Sequence, residues 1–127
     1  VRFTGGVYEP ARLNALRVHA ASYLHGHSVG GTNPSLLESL ACGNWVIAHD
    51  NPFNREVARD AAQYFASSDQ LAQVLAHVYD LDPETRLTLA TRARAIVERH
   101  YAWEHITTQY ETLMLADCAH TAAKAGH

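Results

Sequence analysis

One stretch of the chain carries residue types that could do chemistry: His27-Ser28-Val29-Gly30-Gly31-Thr32-Asn33-Pro34-Ser35-Leu36-Leu37-Glu38. Gly30 and Gly31 have no side chain to block a ligand from their backbone amides. Asn33 followed by Pro34 reads as an N-cap and a first-turn proline. Pro34 contributes no N–H, which leaves the amides of Ser35 and Leu36 as free donors near the helix start. Amides and helix dipole both favour negative charge, so a phosphate suits this turn. Glu38 lies four residues after Pro34, on the same helix face. The Cα–Cβ tilt aims its carboxylate back toward the loop. A carboxylate does not suit phosphate, but it accepts strong hydrogen bonds from hydroxyls. Amides for phosphate beside a carboxylate for hydroxyls describe a nucleotide site. A tight turn with a merely solvated Glu38 fits the same residues, and they alone do not separate the two.

Other residues admit a chemical and a structural reading. His25 and His27 would share a face of an extended strand. That could mark a metal pair, but no third ligand is convincingly spaced, so a polar loop role is expected and no metal. His27 is placed to donate to a ligand at the same turn. His49-Asp50 could read as a general-base pair, and more simply forms a second loop lining a cleft. Asp50, Asn54 and Glu56 are candidates for contact with a ligand's polar groups; turn and cap roles explain Asn51 and Asn54 equally well. Trp103 and Tyr110 are expected to pack in the core. The charged helix face with Arg86, Arg92, Arg94, Glu98 and Arg99 is expected to be solvated.

These residues need elements to hold them. Strand and helix signals alternate, which argues for an α/β fold with a parallel sheet. Residues 1–4, 21–24, 45–48 and 63–66 read as strands. Pro10 opens a helix with apolar Leu13, Leu16, Val18 and Ala20, and Pro34 opens one that ends near Gly43. Asn54 is expected to cap a short helix through Arg59, and Ser68 or Asp69 the helix 70–79. Pro83 starts a long helix to about His100, and residues 103–115 form the last. Residues 116–127 are expected to be a flexible tail.

Bulk properties narrow the classes. A chain of 127 residues, 47% hydrophobic and 18% charged, supports one domain with one core. A net charge of −3 argues against a nucleic-acid module, which shows a basic stripe. No apolar run approaches the roughly 20 residues of a membrane span. Cys42 and Cys118 sit in unlike settings, fit free thiols and suit a reducing cytoplasm. The start without Met, directly in a strand pattern, points to a piece of a longer protein.

Residues 30–50 resemble the signature of retaining GT-B glycosyltransferases of the group 1, RfaG-like type: a glycine loop, Pro34-Ser35-Leu36-Leu37-Glu38, then Ala41-Cys42-Gly43-Asn44, a hydrophobic strand and a polar turn. Asn54-Arg55-Glu56-Val57 is similar to the family's short helix after the second ligand loop. Tyr101-Ala102-Trp103-Glu104 is similar to its closing helix. The resemblance covers residues 1–115, and the wording of residues 27–34 is most like bacterial surface-polysaccharide enzymes, rhamnosyltransferases among them. It implies a Rossmann-like parallel sheet flanked by helices, the C-terminal, donor-binding half of a GT-B fold. It also implies transfer of a hexosyl or deoxyhexosyl group from a nucleotide-diphospho-sugar to a glycan or lipid-linked acceptor. By that resemblance the donor contacts are His27, Gly30, Gly31, Thr32, Asn33 and Glu38, the last holding the nucleotide ribose, and Asp50, Asn54 and Glu56 belong to a loop toward the donor sugar.

One departure stands out. The family pattern has two glutamates separated by seven residues; Glu38 is the second, and Gly30 stands where the first would fall. Amides of residues 30–32, the Thr32 hydroxyl and the Asn33 amide are the expected substitutes. The resemblance further implies no cofactor, no metal, a missing N-terminal GT-B domain and no catalytic residue within this chain. It implies a cytoplasmic place, with membrane association for the full-length protein, and exposed surface implies self-association of the fragment. Two other functions compete. One is a related GT-B enzyme such as a nucleotide-sugar epimerase or a sugar phosphorylase, though the latter needs a pyridoxal lysine and Lys124 is the only Lys. The other is a non-enzymatic α/β interaction or receiver domain, against which Asp50 stands alone at its strand end.

Overall fold

The computed structural model describes residues 2–125, with side chains through residue 118. Three parallel strands, β1 (Tyr23–His25), β2 (Val46–His49) and β3 (Ala62–Phe65), lie in the order β1-β2-β3. Tyr23 pairs with Val46 and Val46 with Ala62, while His49 pairs with Phe65. All three strands therefore end at one pole, and the loops that follow them gather there. The helices are α1 (Pro10–His19), α2 (Pro34–Ala41), α3 (Pro52–Ala58), α4 (Ser68–Ala76), α5 (Pro83–His100) and α6 (Trp103–Ala125), with a 3-10 turn at Arg59–Ala61. The strand–helix alternation expected from sequence is thus present as an α/β domain with a parallel sheet.

The central strand explains why both faces are covered. Side chains alternate across a strand. Val46 and Ala48 face one core with Leu36 and Leu40 of α2, Val57 and Ala58 of α3, and Ala93 and Ile96 of α5. Ile47 faces the other, with Phe65, Val78 and the α4 residues Leu71 and Val74. Leu36 and Leu40 are fully buried, each contributing about 1.5–3 kcal/mol. Chain stops are local. After α2, Gly43 takes φ +75°, and its N–H donates to the Leu40 carbonyl while that of Asn44 donates to Ser39. This pair of bonds is the Schellman ending, which favours glycine at that position.

Several expectations are corrected. Residues 2–4 form no strand, because no neighbouring strand is there to take their hydrogen bonds; Val1 lies outside the described residues. Asn51, not Asn54, caps α3, accepting from the Asn54 N–H. Ser67 rather than Ser68 or Asp69 caps α4, which ends at Ala76 rather than Tyr79. The last helix runs past Leu115 to Ala125, in keeping with the high helix propensity of its alanines. Leu13, Leu16, Val18 and Ala20 bury nothing fully. Trp103 and Tyr110 are exposed rather than packed in the core. Arg86 is no solvated surface charge: it is half-buried and donates to the carbonyls of Ala21, Val78 and Leu81.

Candidate functional site

Strand β1 ends on His25, and His27 follows two residues on, at the pole where the strands end. His25 is buried, and its ring stacks on that of His27 with centroids 4.7 Å apart. The Tyr23 hydroxyl lies 3.4 Å from His25 Nδ1, and Nε2 has no hydrogen-bond partner. Burial, then the charge of His27, holds the His25 pKa below its ordinary value. The neutral ring is the form a low-polarity setting favours. The expectation that the two histidines share a face holds. Among the described residues no three His, Cys, Asp or Glu gather in a way that could hold a metal.

From His27 the chain runs through an exposed loop to α2, with Gly30, Gly31 and Thr32 all open to solvent. Gly30 has φ +118°, a conformation other residues rarely adopt, and nothing would crowd a Cβ there. Backbone conformation, not space, is what requires glycine at this position. The cap at the helix start is present, with one correction. The Asn33 side-chain oxygen Oδ1 accepts from both Ser35 and Leu36 N–H, at 3.0 and 3.4 Å. Those two amides are therefore occupied, and they are not the free donors the sequence suggested.

The second loop is bound to the first. Asn51 and Asn54 each donate from Nδ2 to the His27 carbonyl at 3.0 Å, and Asn54 also donates to the His49 carbonyl at 2.9 Å. Asn54 is buried, so its amide acts as a clamp between loops. Asp50 forms a two-point pair with Arg55, Nε–Oδ1 2.5 Å and Nη2–Oδ2 2.8 Å. These bonds hold the Asp50 carboxyl below its usual range. The Arg55 guanidinium also lies 4.4 Å from the centre of the Tyr64 ring. Burial pushes the Tyr64 hydroxyl up to about 12, and it donates to the Arg59 carbonyl at 2.7 Å. Glu56 is exposed on α3, where its charge acts on Tyr101; it is not drawn into the loop cluster.

Glu38 sits one turn into α2 and accepts from Arg17 Nη2 at 2.5 Å. The Arg17 side chain is only 10% exposed and that of Glu38 53%, so the pair presents the carboxylate outward. Arg17 and Arg55 were both missed from sequence. Arg55 lies five residues after Asp50, close enough for a pairing guess. Arg17 lies 21 residues before Glu38 on another helix, and nothing in the spacing foretells the contact.

A parallel α/β sheet with two clamped polar loops at its strand ends is the arrangement in which open α/β folds dock ligands beyond the carboxyl edge. The family model described as glycosyl transferase-like matches residues 3–112, most of the chain, and the protein belongs to that family. Glycosyl transfer, with a sugar donor and an acceptor, is accordingly its general role. No curated protein and no solved structure matches the chain. No helix among the described residues is long and apolar enough to cross a membrane.

Proposed function

We propose that this chain binds a nucleotide-diphospho-sugar as the donor half of a retaining, group 1 GT-B glycosyltransferase that builds a bacterial polysaccharide. The observation that carries the reading is the exposed loop through Gly30, Gly31 and Thr32. It is fed by β1, closed by the Asn33-capped start of α2, and tied to the Asp50 loop through the His27 carbonyl. The diphosphate rests on this loop, with His27 and Thr32 as side-chain donors. Glu38, oriented by Arg17, takes the ribose hydroxyls, and its exposed carboxylate retains lone pairs beyond the one Arg17 uses.

The main barrier is charge build-up on the leaving diphosphate, which preorganised donors lower. The Asp50–Arg55 pair adds little net charge at this pole. Cations for the diphosphate, the acceptor site and the catalytic group therefore come from a partner domain, and this chain alone turns over no donor. Neither a metal nor a cofactor enters the scheme.

Thermal-shift titration of the whole chain with UDP, dTDP, GDP and inorganic phosphate tests this. One nucleotide is expected to stabilise more than phosphate does, with the difference lost in Glu38→Ala measured against that variant's own ligand-free midpoint. An equal response to phosphate and nucleotides would leave only a generic anion site.

A further inference from the structure

The pole where the strands begin has its own cavity, of about 380 Å³, between the end of α1, the turn that follows α2 and one face of α5. Arg86 and Arg94 both line it, eight residues apart and so on one helix face. Arg86 donates to three backbone carbonyls, and Arg94 Nη2 donates to the Cys42 carbonyl at 3.2 Å. Of five N–H groups each, two on Arg86 and four on Arg94 are left over. Among the described residues the ion pairs involve Arg17, Arg55, His77 and Arg92, never these two. Carbonyls carry no formal charge, and a guanidinium does not deprotonate. Two cations thus face the cavity without a counter-ion.

Asn44, in the same wall, is 3% exposed and donates from Nδ2 to the Arg17 carbonyl. That carbonyl can only accept, which fixes the amide orientation. Asn44 Oδ1 is then a buried acceptor with no donor, a state that costs free energy until something donates to it. Trp45 and Leu87 supply apolar wall. Cations ask for an anion, the orphaned oxygen for a hydroxyl, and the indole for C–H surface. We propose that this cavity is a second ligand site, taking a small phosphorylated polyol such as a hexose phosphate, at the pole opposite the donor loops.

Titration of the ¹⁵N-labelled chain with glucose 6-phosphate, glucose and inorganic phosphate, followed by NMR, tests it. Saturable shifts are expected at Gly43, Asn44 and the Trp45 indole with glucose 6-phosphate, and far weaker ones with glucose or phosphate alone. Arg94→Gln should weaken binding about tenfold or more, as loss of a charged hydrogen bond does. Leu87→Asp places an anion at a position 65% exposed, outside the core, and should weaken it similarly. Shifts confined to residues 26–33, equal binding of bare phosphate, or unchanged affinity in both variants would overturn the proposal.

Discussion

His25 is the residue whose burial sets a measurable pH dependence. Its folded pKa lies below the ordinary 6.5, chiefly through desolvation and secondly through His27. The groups that meet it are Tyr23 and His27. As pH falls, the unfolded chain takes up this proton first. The contribution to stability is therefore complete above about pH 6.5 and is lost as pH falls from there through the lower folded value. His100 is shifted the same way, again mainly by desolvation, and adds to the slope. Urea unfolding between pH 8 and 5 should show stability falling on the acid side, with a shallower fall in His25→Phe. An identical slope in that variant would remove His25 from the account. At this scale the sequence was a partial guide. It placed His25 and His27 on one face, but burial and the contact from Arg17 to Glu38 arise from tertiary packing, which local spacing does not encode.

Among the elements, the joint between the two loops matters most. Asn54 bridges the His27 and His49 carbonyls from inside α3, so one side chain couples the ends of β1 and β2. Asn54→Ala leaves the His49 carbonyl without its shortest side-chain bond and creates a small void. The expected loss is about 1–3 kcal/mol, read by chemical denaturation, with faster amide exchange over residues 26–32. Asn54→Asp keeps the volume but cannot donate, and should cost about as much. Exchange unchanged in both variants would mean that the loops hold their positions without the clamp. The helix starts were the most legible elements. Asn33-Pro34 and Asp82-Pro83 both begin helices as cap and first-turn proline. Asn51-Pro52 repeats that pattern, so the cap of α3 was readable; assigning it to Asn54 overlooked the proline. The strand expected over residues 1–4 illustrates the opposite case. An apolar alternation suits a strand, yet a strand exists only where a neighbour accepts its hydrogen bonds.

Taken as a whole, the molecule leaves much apolar surface in water, and this governs how it behaves in solution. On α6, Trp103, Tyr110, Leu113 and Met114 are 78, 61, 68 and 64% exposed. Their spacing of seven, three and one residues, with Ile106 between the first two, sets them along one helical stripe. That stripe is of the kind that monomeric proteins seldom leave uncovered. The sheet edges are a weaker drive to association, since β1 and β3 span only three and four residues, and short edges resist pairing. A second copy laying its own stripe against the first buries both, with the symmetry of an isologous contact. Sedimentation velocity on the whole chain should therefore show association that grows with concentration. Tyr110→Glu with Leu113→Glu, both exposed positions, should weaken it about tenfold or more without lowering the unfolding midpoint. A chain that sediments as a monomer at hundreds of micromolar would show that this stripe is tolerated in water. Association undiminished in the double variant would instead move the contact to the sheet edges, where amide protection of β1 or β3 would rise with concentration.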